Sequence, residues 1–206
     1  MEFITAHGLE ILGFIVGLAY LWFEYHANRM VWLASIIMPA ISLWVYLSKG
    51  LYADFAINIY YLLIAVYGYA VWSIKGRKES GGHKSQALPI SHLKPLTGVV
   101  LLVIFIILDI ALTWVLLNFT DSTVPYADAF TTALSIVALW MMARKIAEQW
   151  LVWFVVDLVC VALYFYKDIP FYAVLYAVYC VIALFGYRKW VKMITAPDSD
   201  NMVQKS

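Results

Sequence analysis

The chain has 206 residues, 65% of them hydrophobic and 13% charged, with a formal net charge of +1. Soluble domains average about 45–50% apolar and about 25% charged residues. This composition therefore excludes a disordered segment, a nucleic-acid binder and an ordinary water-soluble domain, and leaves a multi-spanning membrane protein.

A membrane helix needs roughly 20 mostly apolar residues. Seven stretches qualify in chain order: 11–25, 30–47, 52–74, 97–119, 129–143, 149–166 and 170–190. The runs are continuous rather than alternating, which favours helices over a β-barrel. The segment 75–96, with Gly76, Gly81, Gly82, Pro89 and Pro95, reads as a linker. Residues 120–128 read as a loop, and 1–10 and 191–206 as polar tails.

The basic residues give an orientation. One set of connections holds Arg29, then Lys75, Arg77, Lys78, Lys84 and Lys94, then Arg144 and Lys145, then Arg188, Lys189, Lys192 and Lys205. The alternate set holds only Lys49 and Lys167. Loops rich in Lys and Arg stay cytoplasmic. The N-terminus is expected outside, and the linker and C-terminus inside.

Sliding the chain by 118 positions aligns the first three spans with the last three. Trp22 meets Trp140, Trp32 meets Trp150, Tyr46 meets Tyr164, Lys49 meets Lys167, and Tyr61 meets Tyr179. Gly68-Tyr69-x-x-Trp72 meets Gly186-Tyr187-x-x-Trp190 in the same register. Two repeats of three spans, 11–74 and 129–190, need the odd helix 97–119 between them to share one orientation. Parallel repeats of this kind are a transporter feature, with substrate near the midplane between them. A scaffold built by duplication is the competing reading.

Two carboxylates fall at bilayer depth, Asp109 and Asp157. An ionised side chain there costs about 2.5–3.5 kcal/mol on insertion scales, so it should face protein or a water cavity. No Lys or Arg lies at that depth in any span. A cationic ligand could balance Asp157; a protonated, hydrogen-bonded Asp157 is the alternative. Trp153 lies four residues before Asp157 on one helix face, and Asn58 and Tyr61 share a face of the third span. With Tyr179 they form the candidate substrate site: Asn58, Tyr61, Trp153, Asp157 and Tyr179. An aromatic plus a carboxylate suits a flat cationic ring. Trp32, Trp72, Trp150 and Trp190 lie near span ends and read as an interfacial belt. Glu24 and Asp54 read as solvated, and Pro39 as a weak point of the second span.

Cys160 and Cys180 read as inert buried thiols, and all four histidines lie outside the spans. No metal-ligand spacing, nucleotide-binding motif or nucleophile–base pair is present, so no cofactor and no enzyme activity are expected. An intramembrane aspartyl enzyme using Asp109 and Asp157 would leave the repeat unexplained.

Several segments carry a family resemblance. They are Asn58-Ile-Tyr-Tyr61 through Tyr67-Gly68-Tyr69-x-x-Trp72, Met142-Ala-Arg-Lys145, Glu148-Gln-Trp-Leu151, Trp153-x-x-x-Asp157 and Phe185-Gly-Tyr-Arg-Lys-Trp190. With these the chain resembles the Pnu-type bacterial vitamin transporters. The resemblance implies an all-α membrane fold of seven helices in a three-one-three, SWEET-like arrangement. It also implies facilitated diffusion at the inner membrane, trapping by a cytosolic kinase, and a homotrimer. Nicotinamide riboside members (PnuC) typically carry Gln and Asn on the third span and Trp-x-x-x-Asn on the sixth. This chain has Asn58, Ala65 and Asp157 at those positions. The stretches Glu24-Tyr-His-Ala-Asn28, Ile37-Met-Pro39 and Asp121-Ser-Thr-Val-Pro-Tyr126 look more like the thiamin-transporting subgroup (PnuT). Thiamin is therefore the expected substrate, and nicotinamide riboside, also a flat cation, the alternative.

Overall fold

The computed structural model describes residues 20–36, 39–40, 52–78, 88–168 and 170–195. Its regular elements are α1 (20–25), α2 (30–36), α3 (Tyr52–Lys78), α4 (Pro95–Phe119), α5 (Pro125–Ala143), α6 (Gln149–Tyr166) and α7 (Pro170–Thr195). The described residues are helices and their connections, as the apolar runs predict. Residues 11–19, 37–38 and 41–47 of the first two expected spans, 79–87 of the expected linker, and both expected tails apart from 191–195 lie outside the described residues.

The helix ends correct several boundaries. α3 runs through Lys78 into the expected linker. α5 begins at Pro125, inside the expected loop 120–128. Pro125 stands at the first helical position, where its fixed φ and missing N–H suit a helix start, and Asp128 in the first turn complements the helix dipole. α4 starts the same way at Pro95. α7 continues to Thr195, and α6 matches its expected range.

The chain divides into two units, Met1–Leu88 and Pro89–Ser206. In the second, α6 packs most extensively on α7, and α5 packs on both α4 and α6. Leu101, Val137, Met141 and Ile146 form its core, flanked by Leu93, Phe105, Trp140 and Val152. The segment before α4 is pinned to the α5–α6 turn: Ser91 N–H donates to Lys145 O (3.0 Å), and Ala147 N–H to Ser91 O (2.9 Å). The Glu148 carboxylate accepts from Leu93 N–H (2.8 Å) and contacts His92 Nδ1 (2.7 Å).

α4 has Leu101 as its buried residue, while Val99, Leu102, Ile106, Ile107 and Ile110 stand exposed. So much exposed apolar surface is unfavourable in water and suits a hydrocarbon surround. Among the described residues, four helices, α4 to α7, are long and apolar enough to cross a membrane. The protein is a multi-pass membrane protein.

The two units share local geometry at positions 118 apart. Ala27 (φ 49°), two residues past α1, and Lys145 (φ 52°), two residues past α5, are both in the left-handed region. Ala27 N–H bonds Glu24 O and Asn28 N–H bonds Phe23 O; Lys145 N–H bonds Met142 O and Ile146 N–H bonds Met141 O. Each pair is a Schellman closure, with the left-handed residue just past the helix. In the next helix of each unit, Trp32 meets Trp72 edge-on (5.5 Å, 89°) and Trp150 meets Trp190 edge-on (5.9 Å, 87°). These four rings are buried, at 0%, 4%, 2% and 0% exposure respectively. They are core residues, which corrects the expectation of an interfacial belt. The reason is steric: Gly68 and Gly186 leave slots that the Trp32 and Trp150 indoles fill. Glu24 is likewise buried, not solvated, within electrostatic reach of Tyr20 one helical turn earlier. The Asp54 side chain lies outside the described residues; Pro39 is helical, next to undescribed residues.

Candidate functional site

α6 carries Trp153, Asp157, Cys160 and Tyr164 at spacings of four, three and four, which place them along one face. α7 carries Tyr172, Tyr176, Tyr179, Ala183, Gly186 and Trp190 on a matching stripe. Contacts between the two stripes hold the helices together at both ends. Trp150 seats on Gly186 toward one end, and Tyr164 stacks on Tyr172 and Tyr176 toward the other. Between them the Cys180 thiol lies 3.9 Å from Phe154 O.

Asp157 occupies the middle of this seam. It is 7% exposed, and no hydrogen bond or ion pair reaches its side chain among the described residues. Cys160, Tyr176, Tyr179 and Cys180 are all within its electrostatic reach. Trp153, one turn away, is half-buried, and its Nε1 is buried without a hydrogen-bond partner among the described residues. A buried indole N–H usually finds an acceptor. The seam thus presents a donor and a carboxylate on one face, flanked by tyrosine rings. This arrangement can bind a flat ligand carrying positive charge and hydrogen-bonding groups.

The structure brings Trp153, Asp157 and Tyr179 together. Asn58 and Tyr61 lie in the other unit, both half-buried on α3, with Tyr61 5.9 Å from Tyr60. Ala65, at the position of a family Asn, is fully buried. Asp109 has one carboxylate oxygen buried without a partner among the described residues. The sequence reading missed Tyr164 and Tyr176, although their spacing from Asp157 and Tyr179 was the available signal. Cys160 is half-buried and Cys180 buried, and both are free thiols. Among the described residues no group of three His, Cys, Asp or Glu could hold a metal.

Outside the spans, the α5–α6 turn buries Lys145 to 4% exposure. Burial pushes its ammonium from the usual 10.5 down to about 8. On the opposite end of α5, Asp128 accepts from Ser122 Oγ (2.6 Å) and faces Lys167 Nζ at 3.8 Å.

Known proteins resemble this arrangement over most of its length. The nicotinamide riboside transporter PnuC of Escherichia coli (strain K12) is 22% identical over 205 residues, covering 89% of this chain and 84% of the relative. The riboflavin/roseoflavin transporter RibM of Streptomyces davaonensis is 38% identical over 66 residues, 32% of this chain and 31% of that protein. The crystal structure of the vitamin B3 transporter PnuC superposes with a TM-score of 0.63 at 21% identity, covering 88% of this chain and 79% of that one. That likeness establishes the fold. Residues 7–192 match the sequence pattern of the nicotinamide mononucleotide transporters, and the chain belongs to that family.

Proposed function

We propose that this protein carries nicotinamide riboside across the bacterial inner membrane by alternating access, without altering it chemically. The observation that carries this reading is the pairing of Asp157 with Trp153. Among the described residues, a buried carboxylate with no ion pair and a buried indole N–H with no acceptor stand one turn apart on α6. Nicotinamide riboside offers a pyridinium charge for the first and carbonyl or hydroxyl oxygens for the second. In this reading Tyr179 on α7 lies beside Asp157, and Tyr61 and Asn58 are further substrate-binding residues, with the amide orienting the ligand.

The substrate reading departs from the thiamin expectation. Three short stretches and the replacements at Asn58, Ala65 and Asp157 supported thiamin, whereas the relatives that span most of the chain are named nicotinamide riboside transporters. Asp157 in place of a family Asn keeps an acceptor for ribose hydroxyls and adds a counter-charge. Ala65 is packed in the core, so its loss of an amide removes a contact rather than leaving an unpaired group.

The repeats 11–74 and 129–190 would rock about the midplane, with 97–119 as the linker helix in a three-one-three arrangement. The basic connections face the cytoplasm and the N-terminus faces outward. Transport is passive, so accumulation depends on a cytosolic kinase that traps the product; a homotrimer is the expected assembly. Radiolabelled uptake into proteoliposomes tests the reading. Equilibration of intact nicotinamide riboside, blocked by excess cold ligand and not by thiamin, is the expected result. Uptake of thiamin alone would replace the substrate, and chemical conversion of either would replace the function.

A further inference from the structure

Four tyrosines from α6 and α7 stand in series between the loop joining those helices and Asp157. Tyr164 stacks on Tyr172 (5.2 Å, 24°) and on Tyr176 (5.2 Å, 16°), and Tyr176 meets Tyr179 edge-on (5.7 Å, 76°). At the loop end Tyr172 is 52% exposed. At the other end Tyr176 and Tyr179 are within electrostatic reach of Asp157. Tyr164 lies seven residues beyond Asp157 on the same face of α6, about 10 Å further along the axis. The series therefore begins at an accessible ring and ends at the buried carboxylate.

Filling a helix–helix seam within a membrane needs no aromatic ring. Leu or Val would pack there, whereas rings in series present successive π-faces. Aromatic faces attract cations by about 0.5–1 kcal/mol at exposed sites, a strength that suits passage rather than capture. A centroid spacing of 5.2 Å leaves no room for a ligand between the rings, so a ligand would move along their free edges and outer faces.

We propose that Tyr164, Tyr172 and Tyr176 form a separate outer subsite that receives flat aromatic cations and hands them to Asp157. The subsite rests on the transporter reading above, with the α6–α7 loop facing outward. Its role is kinetic: it shortens the search for the central site without setting the affinity there.

The test is initial uptake of radiolabelled nicotinamide riboside into proteoliposomes at subsaturating concentration, beside calorimetric affinity in detergent. Tyr172→Ala changes an exposed ring and carries little folding risk. It should slow uptake about threefold, the equivalent of one exposed cation–π contact, with affinity within about twofold. Efflux should slow by the same factor, as a passive carrier requires. Tyr172→Phe, which keeps the π-face, should match wild type, and Tyr176→Ala should repeat the kinetic loss. Unchanged uptake in both alanine variants would overturn the subsite and leave the transporter reading intact. Parallel losses of rate and affinity would also overturn it, because they assign these rings to the central site. Wild-type protein that neither binds nor moves nicotinamide riboside would overturn the substrate reading and the subsite with it.

Discussion

Gly186 and Trp150 fit together so closely that a methyl group on the glycine would stand 2.6 Å from Cδ2 of the indole. Gly68 and Trp32, 118 positions earlier, repeat the relationship with the same 2.6 Å distance. In each unit the tryptophan also meets a second one, four residues after the glycine, edge-on. The duplicated sequence thus encodes a duplicated lock between non-adjacent parts of each unit.

Because real Cβ atoms do not approach rings this closely, Gly186→Ala must displace Trp150. Overpacking of this kind costs about 1–3 kcal/mol. The expected outcome is a lower melting temperature in detergent for both Gly186→Ala and Gly68→Ala. Trp150→Phe, which vacates part of the slot, should be less harmful in the Gly186→Ala background than alone, giving a non-additive cycle. Additive effects would mean that the contact is not the source of the loss.

Asp157→Ala should weaken nicotinamide riboside binding about tenfold or more, or about 1.4 kcal/mol. The substitution removes both the charge and the acceptor oxygens. Titration calorimetry on purified protein measures this directly, and unchanged affinity would remove Asp157 from the site.

Ala27 holds a left-handed conformation at the end of α1, as Lys145 does at the end of α5. Glycine adopts this conformation without a Cβ penalty. Ala27→Gly should therefore raise stability by about 0.5–1 kcal/mol despite its greater freedom when unfolded. A lower melting temperature would show that Ala27 packing outweighs the backbone gain.

Lys145 gives a pH dependence. Between about 8 and 10.5 the unfolded chain keeps a proton that the folded chain has lost, so folded stability rises with pH across that window. Below about 8 the burial cost is fully present. Lys145→Met should remove this dependence, so that its melting temperature gains on wild type at pH 7 and the gain shrinks toward pH 10. A constant difference across the range would assign the effect to packing.

Glu148 ties the segment before α4 to the α5–α6 turn through Leu93 N–H and His92. Glu148→Ala leaves that backbone donor without its charged acceptor, at a cost of about 1–3 kcal/mol. Hydrogen exchange of the Leu93 amide should speed up, whereas Glu148→Gln, which keeps an acceptor, should lie between. Equal protection in all three forms would show that the Ser91 hydrogen bonds suffice.

The α6 boundaries were legible because its apolar run stops at polar residues on both sides. The α5 start was not, because Pro125 and Asp128 resemble loop residues while also being good first-turn residues. Orientation near span ends suggested that Trp32, Trp72, Trp150 and Trp190 sit at the membrane surface. Their burial depends on the partner glycines 36 residues after Trp32 and Trp150, a spacing whose meaning emerges only when the helices pack. Trp153 and Asp157 were visible as a pair because helical spacing fixes a shared face. Tyr164 and Tyr176 were not, because they are two among 15 tyrosines, and their stacking is set by how α6 and α7 meet.

The most direct measurement is titration calorimetry of nicotinamide riboside and thiamin, in separate runs, against the purified protein. Heat of binding with nicotinamide riboside, reduced about tenfold in affinity by Asp157→Ala, and none with thiamin, is the predicted result. Thiamin binding without a riboside signal would contradict the proposed substrate.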